Sequence, residues 1–507
     1  MSTRLFWLFL VLVTAVGAVV RAAGGGVPAA GEPHPEPTVA PARHLIEITP
    51  GIYRPGNVPQ SVGEPLRAFR DIADEYERLH PGVSVRFRQA PAVAGGGEGD
   101  WLRTQLAGGI APEIVQINTE VVWQDLDKGW WVNLEPYLAQ PNPYVPGNEV
   151  WWDCFADIAL TKAKRGPDGN LYCIPMDIVE TGIFYNKDVF ASLGLSPPAD
   201  WEEFIRIQKT LKDAGYIPLV VNGFTVVCDW TQDIIFDQLF YEILDQIDLE
   251  KGSRDEEAYL RGYLAPKELC YLIKRGFFGP DNPRYREVWR IIRDWRPYWS
   301  HELANTDMDR LFLTQRGAMY WSGSWFIRRM KNDPYLDFDW GIFYVPPITK
   351  ATSPYACGAE SAVIGGAGNQ YSVTNRAVLD GELDIVIDFL RFLTTPESAE
   401  RLVGEAQMFF PNVKGARMDP ELAAFADIFR HRYCTVKWLY SLSQEFNDTH
   451  RRWIMYFVNG GFGLDEFLAL SDSYMQQAAD YYIDKHGYDF SEYDRVMAGR
   501  GLSGGGR

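Results

Sequence analysis

His44-Leu-Ile-Glu-Ile-Thr49 and Val83-Ser-Val-Arg-Phe-Arg88 alternate apolar and polar residues at period two, the pattern of half-buried strands. Between them Leu66, Phe69, Ile72, Ala73, Tyr76 and Leu79 fall on one face of a helix, which His80-Pro81-Gly82 stops. Strand, helix and strand in this order open an α/β sheet. After Pro112, the strand Glu113-Ile-Val-Gln-Ile117 ends directly at Asn118-Thr119-Glu120. In open α/β sheets ligands bind beyond the carboxyl ends of strands, so Asn118 and Glu120 become candidate ligand contacts. Capping of the next helix is the competing role for Asn118.

Further along, Asp168-Gly169 marks a tight turn before Leu171–Pro175, and Met176-Asp-Ile-Val-Glu180 leads into a strand over 181–186. Asp200-Trp-Glu-Glu203 is a helix cap with a glutamate three residues on. Residues 229–330 read as mostly helical and aromatic. They end in Gly317-Ala-Met-Tyr-Trp-Ser-Gly-Ser-Trp325, a short buried strand opening onto a loop and a helix. Thr395-Pro396 restarts a helix with a good N-cap, and a last amphipathic helix runs from Leu464 to about Ile483. Gly95–Gly99 lacks the Gly-Lys-Ser/Thr ending of a phosphate loop and reads as a mobile loop.

The 507 residues allow two to four domains at roughly 100 to 200 residues each. Hydrophobic residues make up 46% and charged residues 23%, which excludes a mainly disordered or coiled-coil chain. A net charge of −18 argues against nucleic acid as a partner, because such a surface repels phosphate. Arg4, the apolar run from Leu5 to Val20 and the small residues that follow have the layout of an export signal over residues 1–23. Cleavage gives a periplasmic product; an uncleaved anchor is the other outcome. Residues 24–43 are a Pro/Gly-rich tether and 497–507 a glycine-rich tail, both expected to be disordered. The six cysteines permit up to three disulfides, but their irregular spacing favours buried thiols and shows no zinc or redox motif. No metal or cofactor is expected.

In their order the motifs resemble the extracellular solute-binding proteins of ABC importers, the sugar-binding family typified by maltose-binding protein. The resemblance rests on Tyr76–Val85, Gly108–Ile117, Asp168–Pro175, Thr181–Asp188, Leu193–Phe204, Ala318–Trp325 and Phe389–Ser398. It implies an α/β, two-lobed periplasmic binding protein fold of type II with three hinge crossings, placed near Thr181, Val345 and Thr394. One lobe would hold 44–180 plus 346–394, the other 181–345 plus 395–496, with the ligand in the cleft between them. It also implies a monomer without catalytic groups that closes on a sugar, expected to be an oligosaccharide, and delivers it to the ABC permease.

Pyranoses stack a C–H face on aromatic rings and offer hydroxyls to amides and carboxylates. The expected ligand contacts are therefore Tyr53 and Arg54 after the first strand, Asn118 and Glu120, Asp177 and Glu180 at the first crossing, Trp230, the loop residues Trp321, Gly323, Ser324 and Trp325, and Glu360. Core packing competes for Trp321 and Trp325. Two alternatives remain open: the same fold binding a polyamine or peptide, and an exported glycoside hydrolase, which would need two carboxyl groups about 5 to 9.5 Å apart across one bond.

Overall fold

A computed structural model describes residues 44–90, 97–156, 165–166, 168–249, 264–301, 307–358, 364–425 and 444–500. The export signal, the tether, Glu360, Cys434 and residues 501–507 lie outside these ranges, as do Gly95 and Gly96, whereas Gly97–Gly99, expected in a mobile loop, open a helix over Gly97–Ala107. In chain order the strands are β1 (His44–Thr49), β2 (Val83–Phe87), β3 (Ile114–Gln116), β4 (Cys173–Pro175), β5 (Asp177–Asn186), β6 (Ile217–Val220), β7 (Gly317–Gly323), β8 (Trp340–Phe343), β9 (Gly365–Ala367), β10 (Gln370–Val373) and β11 (Phe410–Pro411).

They form two sheets. The first runs β2-β1-β3-β10-β4, with β1 parallel to both β2 and β3, and β10 antiparallel to β3 and β4. Alternation in β1 sends Ile46 and Ile48 into a core where the Phe69, Ile72, Ala73 and Tyr76 stripe of helix Ala68–Leu79 covers them. That helix begins at Arg67 without a capping side chain of its own. The carboxylate of Glu405 accepts from the backbone N–H groups of Arg67 and Ala68 instead, placing negative charge at the positive end of the helix.

The second sheet runs β11-β5-β7-β6, with β8 and β9 also paired to β5. Helices cover both of its faces, so β7 is buried along its whole length. Trp321 on β7 and Ile183 on β5 join one core, rich in Trp289, Trp295, Phe457 and Phe467; the neighbouring Tyr320 and Phe184 join another with Phe312 and Phe326. As its sequence suggests, helix Trp201–Asp213 is capped by Asp200, which accepts from Glu203 N at 2.8 Å, while Glu203 reaches back to Ala199 N at 3.0 Å.

The chain changes sheets at other points than the expected Thr181, Val345 and Thr394. It leaves β4 at Pro175 and enters β5 at Asp177; it passes from β9 at Ala367 to β10 at Gln370; and it passes from Phe409, in the first core, to Phe410 on β11. Ile348, Ala356 and Ile364 stay with the second sheet after Val345. Helix Pro396–Ala406 buries Leu402, Val403 and Ala406 in the first core, because its Thr395 cap restarts the helix without redirecting it. The C-terminal helix Ser491–Gly499 also runs past Val496, since Tyr493 and Met497 pack into the second core. Cys154, Cys173, Cys228, Cys270 and Cys357 are free thiols, and burial raises Cys270 to about 12. Among the described residues no helix is long and apolar enough to cross a membrane.

Candidate ligand-binding site

The carboxyl ends of β1, β2 and β3 open on a cavity of about 510 Å³. The turn after β1 supplies Gly51, Arg54 and Asn57; the end of β2 supplies Arg88 and Gln89; β3 supplies Gln116. Gly51 has φ +59°, and a Cβ there would meet the Gln116 side chain at 2.8 Å, so a glycine lets the turn fold over β3. Trp101 and Arg103 from helix Gly97–Ala107, with Trp131 and Asp125, complete the wall. Their charges are partly paired. Asp125 accepts from Arg103 Nε at 3.1 Å and Lys128 Nζ at 2.5 Å; the Arg88 guanidinium lies 5.4 Å from the Trp101 ring centroid and donates to the Ile110 carbonyl at 2.7 Å. Arg54 donates to the Gln89 side-chain oxygen.

Of the residues expected at the ligand, Arg54 lines this cavity. Asn118 follows directly on Ile117 of its wall and makes no side-chain cap to helix Thr119–Trp123. Glu120 sits on that helix, its side chain outside what is described.

Tyr53 and Asp177 are 1% and 0% exposed and face each other, not an open cleft. The Tyr53 hydroxyl donates to Asp177 Oδ2, while Asn369 donates through its backbone N to Oδ1 at 2.9 Å and through Nδ2 to Oδ2 at 2.8 Å. The crossings run side by side here: Gly368 N donates to the Asp177 carbonyl at 3.0 Å, Met176 N to Asn369 O at 2.9 Å, and Asn412 N to Met176 O at 3.1 Å. Burial pushes the Asp177 carboxyl up to about 6, and the three donors hold it from rising further.

Glu180 is buried on β5, its carbonyl accepting from Ser324 N at 2.7 Å and its carboxyl lying where a Cβ on Gly365 would collide with it. Trp230, Trp321 and Trp325 come together, with Trp230 5.7 Å from Trp321 and 6.0 Å from Trp325 between ring centroids. Trp321 is a core residue that also meets Trp295 at 6.0 Å. Trp325 is half-buried and packs against all three large cores, its ring so close over Gly323 that a Cβ there would overlap it. Arg88, Gln89, Trp101, Arg103, Gln116 and Trp131 escaped the sequence reading, although the rule that picked out the ends of β1 and β3 applies equally to Arg88 and Gln89 at the end of β2.

A family model described as bacterial extracellular solute-binding protein matches residues 61–400, more than half of the chain. The chain belongs to that family. Among curated relatives, the multiple sugar-binding protein of Streptococcus mutans is 24% identical over 160 residues, 31% of this chain and 33% of that protein. The chain spans less than two thirds of the length of each of the first curated relatives it matches. Among solved structures, the solute-binding protein RafE in complex with raffinose superposes with a TM-score of 0.56 at 19% identity, covering 86% of this chain and 99% of that one. The maltose/maltodextrin-binding domain MalE of Bdellovibrio bacteriovorus bound to maltotriose gives 0.56 at 16% identity, covering 87% and 99%. The fold of this family member is thus the two-lobed, type II periplasmic binding protein fold.

Proposed function

We propose that the protein captures a saccharide, specifically an oligosaccharide, in the periplasm and delivers it to an ABC permease. The observation that carries this is the cavity at the strand ends, where the indoles of Trp101 and Trp131 stand among the amides of Asn57, Gln89 and Gln116. Indole faces accept the apolar face of a pyranose, and amides both donate to and accept from its hydroxyls. A volume of about 510 Å³ is in the range of small-ligand sites.

In this reading the lobes are 44–176 with 368–409 and 177–367 with 410–500, hinged where the crossings meet at Asp177. Closure brings the second lobe over the cavity and presents the closed surface to the permease. Contact between helix Leu464–His486, which packs in the second core, and the cavity rim supports this: Lys485 Nζ donates to Gln124 O at 3.2 Å, one residue before Asp125. The protein acts as a monomer and without a cofactor. Among the described wall residues the carboxylate is Asp125, already paired with Arg103 and Lys128, which does not suit the two-carboxylate chemistry of a glycoside hydrolase.

A thermal-shift screen of the chain from about His44 onward tests the reading against mono- and oligosaccharides, polyamines and peptides. A saccharide at 100 times its Kd stabilises the fold by about 2.7 kcal/mol. Stabilisation by a polyamine or peptide alone overturns the saccharide and keeps the fold. Trp101→Ala is expected to weaken the saccharide by about 1–3 kcal/mol in a calorimetric titration, leaving the melting temperature of the unliganded protein nearly unchanged because the ring is only half-buried.

A further inference from the structure

The described wall of the cavity carries Arg54, Arg88 and Arg103 against the single carboxylate of Asp125, in a chain whose net charge is −18. Two of the three arginines have acidic neighbours. Arg103 pairs with Asp125 at 3.1 Å, and Arg88 stands 3.4 Å from Glu47. Arg54 has none: among the described residues no carboxylate lies within ion-pair distance of it, and its side-chain partner is the neutral amide of Gln89. Its position is fixed by the backbone. Arg54 N donates to Gly51 O at 3.3 Å, Asn57 N donates to Arg54 O at 2.9 Å, and Asn57 Nδ2 ties the same turn to Ile52 O at 2.7 Å.

A guanidinium has five donors in a planar fork, of which Gln89 uses one. Half-withdrawn from water in a partly enclosed site, such a group favours an anion that matches the fork, and it discriminates against a neutral ligand that leaves it unpaired. We propose that the ligand of this cavity is an acidic saccharide, whose carboxylate or sulfate group pairs with Arg54 while its ring meets the aromatic and amide wall. This deepens the saccharide reading and rests on it.

The test is calorimetric titration of the chain from about His44 onward with three sets of matched length: neutral oligosaccharides, hexuronic-acid oligomers and sulfated oligosaccharides. At least one acidic set is expected to bind about tenfold or more tightly than its neutral counterpart, and to weaken as salt is raised. Whichever set wins tells carboxylate from sulfate. Arg54→Gln is expected to weaken acidic saccharides about tenfold or more relative to neutral ones, abolishing the preference for acid, and Arg54→Lys to keep part of it as a point charge. Neutral saccharides binding as well as acidic ones, or an acid-to-neutral ratio untouched by Arg54→Gln, overturns the inference and leaves the saccharide reading standing. Binding of no saccharide in any set overturns both.

Discussion

Replacing Arg328 with alanine is expected to lower the stability of the folded chain by about 3 kcal/mol or more, read as a lower midpoint in urea unfolding. Arg328 lies on helix Phe326–Asn332, three residues after its N-cap Trp325, and is 3% exposed. Its guanidinium makes five hydrogen bonds, all to backbone carbonyls: Nε to Pro59 at 3.3 Å and Val62 at 3.1 Å, Nη1 to Glu405 at 3.1 Å and Ala406 at 3.3 Å, and Nη2 to Glu64 at 2.9 Å. Burial lowers its pKa from the ordinary arginine value, and the charge of Glu405 opposes that shift. An arginine side chain nevertheless stays protonated under any ordinary condition.

The carbonyls belong to the segment after β1 and to the end of helix Pro396–Ala406, which packs in the first core, whereas Phe326, Ile327 and Met330 pack on the second sheet. One side chain therefore ties a helix packed on the second sheet to two segments that pack with the first, one of them just before the third crossing. Truncation leaves several carbonyls without their donor at once. Arg328→Lys should recover less than half of the loss, because an ammonium with three donors cannot span five acceptors set out for a planar fork. An alanine variant within about 0.5 kcal/mol of the parent would mean that water replaces the guanidinium freely, and the clasp would then contribute little.

The local elements were legible because their causes are local. Alternation in His44–Thr49 and the Phe69, Ile72, Tyr76 stripe each state which face is buried, and both are found as expected. Asp168 likewise closes its turn, accepting from Asn170 N at 3.1 Å, with Gly169 at φ +80°. The crossings were misplaced because they depend on pairing between distant strands. Thr395-Pro396 announces a helix start, yet nothing in those residues says that Leu402 will meet a core built on β1.

Part of the candidate cavity was legible where topology alone decides it: Arg54, just past the end of β1, lines its wall. Tyr53, one residue earlier, has the same chemistry as a cleft aromatic, but its hydroxyl is taken by Asp177, 124 residues away. Trp101 and Trp131 carry no local mark either. Their place in the wall comes from how helix Gly97–Ala107 and the segment leading to Leu134 lie against the first sheet, and from no spacing within the sequence.

The carboxyl of Asp177 should make the protein more stable in mild acid than at neutral pH, relative to an Asp177→Asn variant. Its folded-state pKa of about 6 lies above its ordinary value of 3.8, so the folded chain holds this proton over a range in which the unfolded chain has lost it. The stabilisation is fully present below about pH 4 and is lost as pH rises through about 6; the gap between the two values corresponds to at most about 3 kcal/mol. Other carboxyls add their own pH dependence, Glu113 and Asp309 raised by burial and Glu287 lowered beside Arg290, so the quantity to compare is the difference between parent and variant. Urea unfolding midpoints from pH 4 to 8 measure it.

The amide of the Asp177→Asn variant keeps the shape of the carboxyl. Its oxygen can accept from Asn369 N, while the Tyr53 hydroxyl turns to accept and the Asn369 side-chain amide rotates. The difference should therefore favour the parent at pH 4 and shrink toward pH 7. Asp177→Ala should be about 3 kcal/mol less stable than Asp177→Asn at every pH, since it leaves the Tyr53 hydroxyl and both Asn369 donors buried without an acceptor and neither variant titrates at this position. Parallel profiles for parent and Asp177→Asn would show that the carboxyl titrates alike in the folded and unfolded chains. The Tyr53 and Asn369 donors would then compensate its burial in full, and the ties between the first two crossings would be insensitive to pH.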